Sequence, residues 1–333
     1  MSKKVLLKLI PLAVATAMLA GCFGDDDNNN DNGPAATTGK AVDFYLKGAT
    51  VTFANSSVCA ATTTDANGNF TAPKGAACGA ATVTGGTDIA TNLPFTGKLT
   101  APAGATIVSP VTTLVQALVA SGQSEAAANE LVKSKLGLTK DPATTDPLTD
   151  PAALAKAQAL VQIAQQTAAV VTKAQTSANF ADVFAKTLET AAKSLSTASS
   201  ITNTTFVQSV IATTASASLS SSTAANNLAA ITAAKIAEIA TAAETQITSV
   251  QAQLAGKDAS TALALLTNGN VDSNIKTLTE QATTLANAVA TVNLSTVTDV
   301  AAVVTQINTQ VSTNVPAPVV VAPTGGSSTG SGG

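Results

Sequence analysis

The chain has 333 residues, with 17 basic side chains that are all lysine, 20 acids, no histidine, no tryptophan and only 11% charged residues. Without histidine there is no imidazole general base, no Ser-His-Asp or Cys-His arrangement and no histidine-containing zinc site. A net charge of -3 with scattered lysines leaves no footprint for nucleic acid, and no Gly-rich phosphate loop or dinucleotide fingerprint joins a strand to a helix, so neither nucleic acid nor a cofactor is expected.

Residues 1–21 have the layout of a secretory signal peptide. Lys3, Lys4 and Lys8 lead, residues 5–19 are otherwise a largely apolar segment interrupted by Pro11, and small residues precede Cys22. The apolar stretch is too short and wrongly flanked to span a bilayer. Its ending, Leu19-Ala20-Gly21-Cys22, resembles the lipobox of bacterial lipoproteins. That resemblance implies diacylglyceryl attachment to the Cys22 sulfur, cleavage before it and acylation of the new amino terminus, so that the membrane becomes a partner through a lipid anchor. Anchoring of this kind takes more than one acyl chain, at about 0.8 kcal/mol per buried methylene. Phe23, not an aspartate, follows the cysteine, which by analogy with enterobacterial sorting favours the outer membrane. Residues 22–39 then read as a flexible tether, because a run of Asp, Asn and Gly cannot bury enough surface to offset its ordering entropy. Acidic runs such as Asp25, Asp26 and Asp27 just behind a lipidated cysteine also resemble surface-export signals.

Over residues 40–103 the pattern is that of short strands. The run AVDFYLKGATVTFANS alternates around Gly48, TTTDANGNFTA places Asn67-Gly68 at a turn between β-branched residues, and AATVTGGTD repeats the theme. Short strands with frequent turn signals predict a small β-sandwich. Cys59 and Cys78 fall inside this segment, and in an exported protein they are expected to form a disulfide. KGATVTF followed by TTTDANGNF resembles the carboxypeptidase regulatory-like, or prealbumin-like, β-modules of secreted and surface proteins, which implies a structural or binding unit without catalysis. Asp65, Asn67 and Asn69 share the first spacings of a calcium loop, but Phe70 and Ala76 stand where such a loop needs Gly and a bidentate Glu, so a β-turn is the better reading.

From residue 104 the apolar period lengthens to that of a helix. Ser109-Pro110 is a cap followed by a first-turn proline, with Gly122 as the stop, and a second short helix is expected from about Ser124 to Leu136, ended by Gly137. This stretch resembles a helical module found beside β-repeats in large bacterial surface and secreted proteins. Asp141, Asp146 and Asp150 each precede a proline; metal binding is one reading, helix and turn capping the stronger one. Beyond Pro151, Leu154, Ala157, Val161, Ala164, Ala168 and Val171 keep three-four spacing, and near the other end Ile275, Leu278, Ala282, Leu285 and Val289 do the same. Breaks are expected near residues 176–179, 199–203, 220–223, 256–260 and 293–296.

The expected fold class is α+β: a small N-terminal β-sandwich over 40–103, a mostly helical antiparallel bundle over 104–313 and a mobile tail over 314–333. The expected function is that of a lipid-anchored, non-catalytic envelope or surface protein with a structural, adhesion or interaction role. A lipoprotein holding a small apolar ligand between its helices is the alternative. The anticipated site residues are Cys22 for lipidation and Cys59 with Cys78 for the disulfide. No catalytic, metal or cofactor-binding residue is assigned.

Overall fold

The computed structural model describes residues 35–321, so Cys22, the signal peptide and most of the tether lie outside the described residues. Nine short strands come first: β1 (Thr37–Ala41), β2 (Leu46–Lys47), β3 (Thr50–Phe53), β4 (Thr62–Thr63), β5 (Asn69–Ala72), β6 (Ala81–Thr84), β7 (Thr87–Asp88), β8 (Lys98–Ala101) and β9 (Ile107–Val108). Helices follow: α1 (Pro110–Ala120), α2 (Glu125–Leu136), α3 (Pro151–Ala174), α4 (Phe180–Ser194), α5 (Thr204–Ser216), α6 (Ser222–Thr248), α7 (Gln251–Leu254), α8 (Ala259–Asn268), α9 (Val271–Ala290) and α10 (Val300–Gln310). The molecule is therefore mixed, with strands leading and helices following.

The strands form three sheets, in the orders β5-β1-β9, β2-β7 and β4-β3-β6-β8. In the four-stranded sheet the sequence alternation becomes a buried face. Val51 lies opposite Val83 and Val83 opposite Leu99, while Phe53 meets Ala81 and Ala81 meets Ala101, and all of these are buried. The outer edge of β8 would leave backbone groups unpaired, and α1 covers it. Thr113 Oγ1 accepts from the Thr100 amide at 2.9 Å, and the hydroxyls of Thr112 and Thr113 donate to the Thr100 carbonyl at 3.2 and 3.1 Å.

Two sheet boundaries differ from the sequence expectation. β1 begins at Thr37, inside the stretch assigned to the tether, because its backbone pairs antiparallel with β5 from Thr37↔Ala72 onward. β9 lies past residue 103 and pairs in parallel with β1, Lys40↔Ile107 and Ala41↔Val108, before the chain enters α1 through Ser109. Hydrogen-bond partners distant in sequence fix both ends, which local alternation cannot register.

Helix starts follow capping chemistry. Ser109 and Thr112 form a reciprocal capping box with Pro110 in the first turn, and Gly137 ends α2 in the left-handed conformation. Asp150 caps α3 through the Ala153 amide, Asp146 accepts from Leu148 and Asp141 from Ala143, so all three aspartates that precede prolines serve local backbone groups. α3 is buried nearly all round, with Leu154, Leu160, Ile163 and Val170 fully enclosed, and it packs against α1, α4, α6 and α9. Lys156 joins α3 to Glu244 on α6 at 2.5 Å.

Strands and helices share one continuous apolar core. Phe95, after β7, meets Phe184 of α4 edge-on with ring centroids 5.7 Å apart, and Lys98 of β8 reaches Asp182 of α4 at 2.5 Å. The chain beyond α10, expected to be a mobile tail from 314, instead lies across α6 and α9 as far as it is described. Asn274 Nδ2 donates to the Pro316 carbonyl at 3.0 Å, Asn270 Nδ2 to that of Ala317 at 2.9 Å, and the Val319 amide donates to Asn270 Oδ1 at 2.6 Å. A buried asparagine amide supplies the pairing that composition alone does not reveal.

Candidate functional site

Of the anticipated site residues, the structure brings together Cys59 and Cys78. Their sulfurs stand 2.00 Å apart with Cα atoms at 5.3 Å, which ties the segment after β3 to the short turn (Gly75–Cys78) that precedes β6. The Asp65 loop is a turn between β4 and β5. Asp65 accepts from the Asn67 and Asn69 amides at 2.8 Å each and from Asn69 Nδ2 at 2.8 Å, donors that hold its carboxyl below the usual carboxylate range. Gly68 closes the turn at φ 76, a conformation that a side chain would strain. Among the described residues no three or more Cys, Asp or Glu side chains gather in a way that would hold a metal ion.

The site that sequence reading missed lies where the strands meet α3 and α9. Asp43, in the bend after β1, and Asp88, the last residue of β7, face a narrow recess with room for about 30 Å3, closed by Phe44, Phe95, Val161 and Ile275. Asp88 is almost fully buried and saturated with donors. Its Oδ1 accepts from the Ala90 amide at 3.0 Å, the Thr91 amide at 2.7 Å and the Thr91 hydroxyl at 2.9 Å, and its Oδ2 from the Phe44 amide at 2.7 Å. Asp43 receives one donor only: Gln158 Nε2 of α3 bonds its carbonyl at 2.9 Å and its Oδ1 at 3.1 Å.

That asymmetry orders the two acids. Burial and the neighbouring Asp88 charge push Asp43 up to about 8, against the opposing pull of Gln158. Burial raises Asp88 as well, while its backbone and hydroxyl donors pull it down. The confined recess and the neighbouring charge favour the neutral form of Asp43, while the four donors on Asp88 favour its charged form.

Gln158 belongs to a polar line along α3. Gln162 Nε2 donates to Thr279 Oγ1 of α9 at 2.7 Å, and Gln166 Nε2 donates to the Leu278 carbonyl at 3.0 Å, leaving Gln166 Oε1 buried without a partner among the described residues. Sequence signals for this site existed. Asp43 is a lone acid inside the apolar run Ala41–Leu46, and Gln158, Gln162 and Gln166 recur every fourth residue in a helix otherwise apolar on that side.

A second cluster is formed by the neighbouring residues of the same chain segment. Tyr45 donates its hydroxyl to Asp146 Oδ2 at 2.5 Å, and Lys40 reaches the same oxygen at 3.4 Å with its ammonium 4.0 Å over the Tyr45 ring. Burial and Asp146 both hold the Tyr45 phenol well above its ordinary value, so this hydroxyl stays protonated.

Comparison of the chain with family models, curated proteins and solved structures finds no match in any of the three.

Proposed function

We propose that the protein is a lipid-anchored, non-catalytic component of the bacterial cell envelope, displayed on the outer membrane and working by contact with a partner. The observation that carries this reading is the Leu19-Ala20-Gly21-Cys22 ending behind a lysine-led apolar stretch. In this reading the sheets form a small sandwich, and the long helices α3, α6 and α9 form an antiparallel bundle.

Two features of the described body support contact over chemistry. The Asp43–Asp88 recess has room for about 30 Å3, the scale of a water molecule and far below that of a substrate pocket. The solvent face of α5 presents Thr204, Gln208, Ser209, Thr213 and Ser216, a neutral hydroxyl-and-amide surface suited to partners recognised by hydrogen bonding. Replacing Cys22 with Ser is expected to abolish acyl labelling and release the protein from the membrane fraction. Protease treatment of intact cells is expected to cleave the body; full protection, while a known surface protein is shaved, overturns surface display and favours a scaffold facing inward.

A ligand-binding role has one observation in its favour. An open recess of about 380 Å3 lies between the end of α3, the start of α6 and the end of α9, where Leu219, Val292 and Leu294 meet a largely polar rim of Lys173, Gln175, Ser220 and Asn293. Binding of a fluorescent fatty acid by the purified chain, displaced by unlabelled fatty acid and lost on changing the partly buried Val292 to Asp, would support this second reading.

A further inference from the structure

We infer that the Asp43–Asp88 recess is a proton-operated joint between the strands and the helices, closed while Asp43 is protonated and loosened when it ionises. Among the described residues Asp43 is the strand-side acid that bonds to α3, and it does so through Gln158, which is itself buried. Asp88 holds the other side through the Phe44 amide, the residue next to Asp43, so both carboxyls act on the same bend of chain.

No cation answers a second charge there. Asp43 and Asp88 are the only charged side chains among the described residues lining the recess. The loop after β7 faces it with Thr91 and Thr96, α3 with Gln158 and Gln165, and α9 with Thr279. Lys156 on α3 is engaged with Glu244 of α6, and Lys276 and Glu280 of α9 do not line the recess. A metal ion is a poor occupant because all four donors already directed at Asp88 use up its acceptor positions. A proton needs only the free oxygen of Asp43, whose Oδ2 accepts no hydrogen bond among the described residues.

The direction of the response follows from linkage. When the joint opens, Asp43 returns to an ordinary carboxyl and releases its proton at any pH above about 4. Opening thus releases one proton across the range up to about 8, and its equilibrium constant rises about tenfold per pH unit there. Above that value the closed form has also lost the proton, and the dependence ends.

Hydrogen exchange on the full chain between pH 5 and pH 9.5, corrected for intrinsic rates, reads this directly. Peptides covering residues 41–47, 87–93 and 156–166 are expected to show opening that rises about tenfold per pH unit and levels off above pH 8. The Asp43→Asn variant, which mimics the neutral acid, is expected to lose that slope. A wild-type opening constant independent of pH, or a slope that survives in Asp43→Asn, overturns the inference. Should the variant fail to fold, carbon NMR titration of the wild-type side chain decides: an Asp43 carboxyl that titrates near 8 supports the joint, and one that titrates near 4 overturns it.

Discussion

Asp88 collects four donors while Asp43 has a single glutamine amide, and this difference in hydrogen bonding separates two acids that the sequence presents alike. The same bonding chemistry makes Asp150 a cap, and Asp150→Ala is expected to cost about 1 kcal/mol in urea unfolding by removing the acceptor for the Ala153 amide. At Cys59 and Cys78 the expected cost of the double alanine variant is about 3 kcal/mol in the chain-entropy account, read as a lower denaturant midpoint that reductant reproduces in the wild type. Residues of this kind differ in how visible they are. Asp150 announces itself because its partner lies three residues away and a proline follows it. Asp43 stands out only as an acid in an apolar run; its partners come from β7 and from α3, a hundred residues on, and only folding decides that its neighbours are amides and not lysines.

At the level of elements, period and punctuation carried most of the helices. Ser109-Pro110 and Gly137 bound α1 and α2, and the Leu154 to Val171 stripe lies buried along α3. The breaks after α6 and between α8 and α9 were not among those expected: Ser249 and Val250 end α6 without a glycine or proline to mark the stop, and the Gly269-Asn270 pair, itself a stop signal, was passed over. Strand ends were the hardest, because β1 and β9 are neighbours that define each other across more than sixty residues of intervening sequence. The alanines on α3 have a packing role that can be tested. Ala164 is fully buried, so Ala164→Leu is expected to force overpacking and cost about 1–3 kcal/mol, while the helix content measured by circular dichroism stays the same.

Across the whole molecule, the shared core makes strands and helices one thermodynamic unit. Calorimetry of the full chain is expected to show a single transition in which strand and helix signals are lost together; two separated transitions would contradict a common core. The Asp43 carboxyl adds a pH dependence of fixed sign, with stability greatest on the acid side and falling as pH rises toward about 8. The reach of Gln158 to Asp43 also bears on how the chain is made. A polypeptide emerging amino end first produces the strands while α3 is still unsynthesised, and α3 in turn waits for α9 to bury its glutamine line. Each early segment thus travels with its polar and apolar partners missing, and a nascent chain arrested before residue 271 should remain protease-sensitive in its strands as well as its helices.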